Sequence, residues 1–115
     1  MENNLDSILL STKKLLGLTE DYTVFDADII MHINSVFMIL TQLGVGPSNG
    51  FSIAGKEDLW TAFVPADDKN YEAVKSYMYA KVRLMFDPPS SSIVMECMKQ
   101  MIAELEWRLN LAAES

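Results

Sequence analysis

One cysteine, one histidine, five glycines and four prolines in 115 residues leave several kinds of chemistry without material. Cys97 has no internal disulfide partner, and no Cys/His cluster has the spacing of a structural zinc site. Folding in a reducing compartment is the simpler expectation. Basic residues are also scarce: nine Lys and Arg stand against sixteen Asp and Glu, for a net charge of −7. That balance argues against phosphate-driven binding of nucleic acid and against adhesion to an anionic membrane. No apolar run approaches the ~18 residues of a membrane span. Met1-Glu2-Asn3-Asn4-Leu5-Asp6 carries acids where a secretory leader needs positive charge, so a soluble chain made in the cytoplasm is expected.

What the sequence does have is apolar surface. Half of the residues are apolar and 22% are charged, a profile that buries enough surface to offset the entropy of ordering. The length suits one helical domain over residues 1–115. Strict alternation is absent, and the apolar residues recur at spacings of three and four, so the fold class is all-α.

The first helix is predicted over Asp6–Leu16, with Ile8, Leu9, Thr12, Leu15 and Leu16 on one stripe and Gly17 as its stop. The second runs from Asp26 to Leu43, with Ile29, Ile33, Val36, Leu40 and Leu43 facing inward and Gly44 ending it. Thr23, Asp26 and Asp28 are capping types at its start and suit the positive end of the helix dipole. A long loop region, Gly44–Val64, follows, with a short helix predicted inside it over Lys56–Phe63. The fourth helix spans Asp68–Phe86 on a stripe of Tyr71, Val74, Met78, Val82 and Met85. Asp87-Pro88-Pro89 ends it, because both prolines lack a donor and Pro88 restricts Asp87. Ser90, Ser91 and Ser92 offer the cap of a fifth helix, whose stripe is Val94, Met98, Met101, Leu105 and Arg108/Leu109. The last two long helices should form an antiparallel pair with the second laid across them, a small bundle of about four main helices.

The candidates for chemistry are few. Asp28 and His32 are i,i+4 neighbours with Asp26 nearby, but acids in a first helical turn are expected from the dipole alone and two or three such ligands make a weak site. Cys97 sits among apolar neighbours with no base beside it and reads as a buried, inert thiol. Gly50 and Gly55-Lys56-Glu57 fall short of a phosphate-binding loop, which needs Ser or Thr after the lysine. No catalytic, cofactor or metal site is expected. Eight methionines, Met95, Met98 and Met101 among them, fit either core filling or an adaptable contact surface. Glu104, Glu106 and Arg108 read as a solvated face.

Two stretches carry a resemblance. Phe25-Asp26-Ala27-Asp28-Ile29-Ile30-Met31-His32-Ile33-Asn34-Ser35-Val36 ends in Leu43-Gly44-Val45-Gly46. Val74-Lys75-Ser76-Tyr77-Met78-Tyr79-Ala80-Lys81-Val82-Arg83-Leu84-Met85-Phe86-Asp87-Pro88-Pro89 leads to Met101-Ile102-Ala103-Glu104-Leu105-Glu106-Trp107-Arg108-Leu109. Together they resemble the head–tail connector (adaptor) proteins of long-tailed bacteriophages. The resemblance implies a structural virion protein without catalysis, made in the host cytoplasm. It implies a homo-oligomeric ring of about a dozen subunits under the portal protein, joined to a head-closure or tail-completion protein. It also implies an open axial channel for DNA; with the charge balance above, neither sequence-specific nucleic-acid binding nor membrane contact is expected. Two rival readings are a monomeric helical regulator that binds a peptide in a Met-rich groove and a small metal-dependent enzyme using Asp28 and His32.

Partner contacts are expected at two places. The loop region is about 20 residues long, above the ~12–15 at which loops become functional or disordered, and carries Phe51, Leu59, Trp60 and Phe63, which serve as satellite core or as docking anchors in a mobile loop. At the other end, Trp107, Arg108 and Leu109 precede a short tail expected to stay unpacked.

Overall fold

The computed structural model describes residues 6–114 of the chain. Its helices are α1 (Ile8–Leu15), α2 (Asp26–Gln42), α3 (Trp60–Phe63), α4 (Tyr71–Phe86) and α5 (Ser92–Glu114). Among the described residues the only β-type pairing is an isolated antiparallel bridge, Ser7 to Leu59. No helix among them is long and apolar enough to cross a membrane. The all-α bundle expected from the 3–4 spacing is what forms.

The helix ends follow local chemistry. The Ser7 hydroxyl accepts from Leu10 N–H, so α1 begins after Ser7 rather than at Asp6. Gly17 and Gly44, at φ 87° each, close α1 and α2 in the same way. Leu18 N–H reaches Lys13 O and Gly17 N–H reaches Lys14 O, while Val45 N–H reaches Leu40 O and Gly44 N–H reaches Thr41 O. These paired bonds satisfy carbonyls that a helix end otherwise leaves open, and they need a residue at ease in the left-handed region. The start of α2 departs from expectation: its cap is Phe25, and no side chain caps it. Asp26 has turned to Lys13 instead. Likewise Asp68 uses its carboxylate to accept from Asn70 N–H, which makes a turn and delays α4 to Tyr71. Among the three serines, it is Ser91 whose hydroxyl accepts from Val94 N–H at the head of α5.

α4 is the hub, packed against α1, α2 and α5. Ile29, Ile33, Val36, Phe37 and Leu40 of α2 are buried, as are Val74, Tyr77, Met78, Ala80 and Val82 of α4. Only Ile102 and Leu109 of α5 are buried, with Met98 and Leu105 half-buried beside them. The inward stripe of α5 is therefore Met98, Ile102, Leu105 and Leu109, and the expected members Val94 and Met101 are exposed. Leu15 and Met85, also expected inside, are exposed as well. Tyr77 was absent from the predicted stripe; it is fully buried and donates to Glu106 Oε2 at 2.6 Å. Glu106 is thus an inter-helix acceptor, with Lys81 Nζ at 3.9 Å, rather than part of a solvated face.

The last residues continue α5 to Glu114 instead of forming an unpacked tail. Asn110 Nδ2 donates to Leu43 O, and a Cβ placed on Gly44 would lie 3.0 Å from Ala113 Cβ. The C-terminal ends of α2 and α5 therefore meet closely.

Candidate interaction surface

The long segment between α2 and α3 is tied down at several points. Asn34 on α2 presents its amide as a strand edge would, accepting from Ile53 N–H at 2.8 Å and donating to Ile53 O at 3.1 Å. The Asp58 carboxylate accepts from Ala54 and Gly55 N–H, which turns the chain and limits α3 to Trp60–Phe63 rather than the expected start at Lys56. Ser7 Oγ donates to Lys56 O, and Ile8 N–H donates to Asp58 O. Val45 and Ile53 are buried. The segment is a packed part of the subunit.

Its aromatics go inward. Trp60 and Phe63 are buried and Phe51 is half-buried against them. Phe37 of α2 sits at their centre, with ring centroids 4.7 Å from Phe63, 5.0 Å from Phe51 and 6.0 Å from Trp60. Trp60 Nε1 donates to Ser11 Oγ at 2.9 Å, so the indole's one donor is satisfied inside. Gly46 makes this possible: at φ 83° it passes so close that a Cβ would run into the Phe63 ring. Of the four loop residues singled out, only Leu59 is exposed.

At the other end the residues separate by helix face. Leu109 is buried, whereas Trp107 is 64% exposed. Arg108 is exposed and folds back one turn, its Nη2 at 2.7 Å from Glu104 Oε2. Ile93, Cys97, Glu104, Trp107 and Leu111 share the outer face of α5 by their 3–4 spacing, and Ile93 is 76% and Leu111 51% exposed. Cys97 is thus exposed rather than buried, because α5 buries one stripe and position 97 falls opposite it. A helix outer face with a tryptophan, an isoleucine and a leucine in water gains by burial against another protein.

The acid–histidine group is scattered by its surroundings. Asp26 Oδ1 lies 2.8 Å from Lys13 Nζ, at an angle too poor for a hydrogen bond; the Lys13 side chain is 1% exposed and donates to Glu20 O. Asp28 points to solvent on α2 and His32 is half-buried. No three His, Cys, Asp or Glu side chains among the described residues form a group able to hold a metal ion.

Sequence reasoning passed over two other surfaces. Tyr22, Phe25 and Phe86 stack edge to face, at 6.0 Å and 5.3 Å, with Tyr22 and Phe25 exposed. Met31 and Met38 stand 59% and 60% exposed on the outer face of α2. The seven-residue separation of the methionines was the available signal, since it returns to the same face after two turns.

With this geometry in place, comparison with known proteins gives one match. The sequence pattern of a family described as phage connector protein fits residues 8–115. Neither the curated proteins nor the solved structures gave a match.

Proposed function

The chain belongs to the phage connector protein family, and from that membership we propose that it acts as a head–tail adaptor assembled as a ring of about a dozen copies under the portal. The family match makes it a structural component of the virion that contacts other head and tail proteins. The finer reading adds a portal on one side of the ring and a head-closure or tail-completion protein on the other, with assembly in the host cytoplasm. The match over residues 8–115 is the observation that carries it.

The physical properties of the subunit support the same reading. The outer face of α5 leaves Ile93, Trp107 and Leu111 exposed, and such a face is suited to a protein neighbour. A channel built from chains of net charge −7 repels the phosphate backbone on balance, so DNA passes without being gripped.

The test uses purified protein and DNA-filled capsids with and without portal. The wild type should co-sediment only with portal-bearing capsids. Trp107→Ala with Leu111→Ala should keep the wild-type melting temperature and lose most of that attachment. Equal binding to portal-free capsids would refute the adaptor reading, and full attachment by the folded double variant would remove α5 from the contact.

A further inference from the structure

Two surfaces of the subunit have shapes and charges that complement each other. The first is a groove of about 460 Å³ between α1, α4 and α5. Leu15, Tyr79 and Met101 give it apolar walls, and Lys14, Lys75 and Glu72 line it as well. Leu15 and Met101 are 56% and 39% exposed, so its walls are open to water. Lys75 lies over the Tyr71 ring at 4.9 Å, and neither it nor Lys14 makes a salt bridge among the described residues.

The second surface is the outer stripe of α2. Asp28, Met31, Ser35, Met38 and Gln42 recur at spacings of three and four and share the face opposite the buried Ile29, Ile33 and Leu40. Met31 and Met38 make a ridge two turns long, about 10 Å. α2 contains no Lys or Arg, and its exposed Asp28 lies in the first turn. An unbranched, polarizable ridge with an acid at one end matches an apolar groove with a tyrosine wall, where two lysines outnumber the single acid Glu72. The outer face of α5 matches it less well, because Glu104 and Arg108 pair across its middle.

We propose that the α2 stripe of one copy, led by Met31 and Met38, packs into the α1–α4–α5 groove of the next copy, with Asp28 facing Lys14 and Lys75. The inference rests on the ring reading above and names the contact that would build the ring. The two patches are distinct regions of one subunit. Copies joined through them are related head to tail, which closes into a ring when the rotation per step allows. The outer face of α5 then stays free for other virion proteins.

The test is disulfide trapping in a Cys97→Ser background, on the free protein and on protein attached to portal-bearing capsids, with native mass spectrometry of the released material. A chain carrying Met38→Cys and Leu15→Cys, or Met31→Cys and Leu15→Cys, should give a ladder of covalent multimers under mild oxidation. An equimolar mixture of the single variants should stop at dimers. Met38→Glu should keep the wild-type melting temperature and weaken self-association at least about tenfold. Rings that form without any ladder, and form equally with Met38→Glu, would overturn this contact and leave the ring reading standing. Absence of multimers in both settings would overturn the ring reading and the contact with it. Trapping of Leu15→Cys on a different virion protein, with no copy-to-copy product, would give the groove another occupant and overturn the proposal.

Discussion

Lys13 gives the sharpest energetic test of the fold. Its side chain is 1% exposed, and its ammonium has two neighbours, Asp26 Oδ1 at 2.8 Å and the Glu20 carbonyl at 3.1 Å. The partners are unequal. Asp26 is 26% exposed, so part of its carboxylate already reaches water although Oδ1 is buried beside the lysine, and it sits in the first turn of α2 where the helix dipole favours a negative charge. Lys13 has no such escape. Asp26→Asn keeps the shape and leaves a buried cation beside a neutral amide. Breaking a buried pair from one side typically costs 3–5 kcal/mol, and partial exposure of Asp26 together with the poor contact angle brings the expectation to about 2–3 kcal/mol. Lys13→Met removes the charge and keeps the volume, leaving a partly exposed carboxylate in a favourable helix dipole, for about 1 kcal/mol. For a chain of this size these values correspond to falls in melting temperature of roughly 8–12 °C and 3–5 °C. The double variant Lys13→Met with Asp26→Asn should resemble Lys13→Met alone. Urea and thermal unfolding followed by circular dichroism give the order directly. If Lys13→Met is the more destabilising single change, or if Asp26→Asn stays within about 0.5 kcal/mol of wild type, the argument that the buried ammonium dominates this site is wrong.

Further expectations concern the loop and the α4–α5 contact. Gly46→Ala forces a Cβ against the Phe63 ring at a positive φ and should cost about 2–4 kcal/mol, whereas Gly50→Ala, at φ 96° with open space, should cost only about 1–2 kcal/mol in chemical denaturation. Asn34→Ala removes both bonds to Ile53 and should cost about 2 kcal/mol, with faster amide exchange at Ile53 as the local readout. Burial first, then the hydrogen bond to Glu106 and its charge, raise the Tyr77 hydroxyl above the ordinary value of 10.0. The folded state therefore holds that proton more tightly than the unfolded chain, so the stabilisation is full below pH 10.0 and is lost as pH rises above it. Tyr77→Phe should cost about 1 kcal/mol at neutral pH and flatten that alkaline decline in a stability–pH profile.

The long helices were legible because their inward residues recur at three and four, and Gly17 and Gly44 marked their ends through a conformation that few other residues adopt. α5 was legible as a helix but not in its orientation. It carries apolar residues on nearly every side, so a stripe through Met101 and one through Ile102 fit the pattern equally well, and only packing on α4 selects Ile102. The same ambiguity hid the exposure of Cys97 and Trp107's separation from Leu109. Lys13 was illegible for a different reason. A lysine on an amphipathic helix ordinarily reaches water, and its burial depends on Asp26 and the Glu20 carbonyl arriving from the following segment. The loop aromatics carried a true signal of burial or docking, and the choice between them required knowing that Phe37 stands where three rings converge.

That choice changes how assembly must work. With Trp60 and Phe63 inside and Ile53 clamped by Asn34, the subunit spends its loop aromatics on its own core. A loop that orders only on binding would take its entropy loss out of the binding energy, and this structure places that loss in folding instead. Of the apolar residues left in water, Met31, Met38, Ile93, Trp107 and Leu111 stand on α2 and α5, two of the longest rigid elements. Side chains on helices hold their relative positions better than side chains on loops, so neighbours meet surfaces already in register. Specificity then depends on the angle between α4 and α5, because that angle fixes where the outer face of α5 lies relative to α2. Three features set it: the Asp87-Pro88-Pro89 turn, the Tyr77–Glu106 bond and the close approach of Gly44 to Ala113. The first restricts the backbone at one end of α5 and the other two fasten its C-terminal half, so changes at these positions should alter attachment to other virion proteins even where stability is retained.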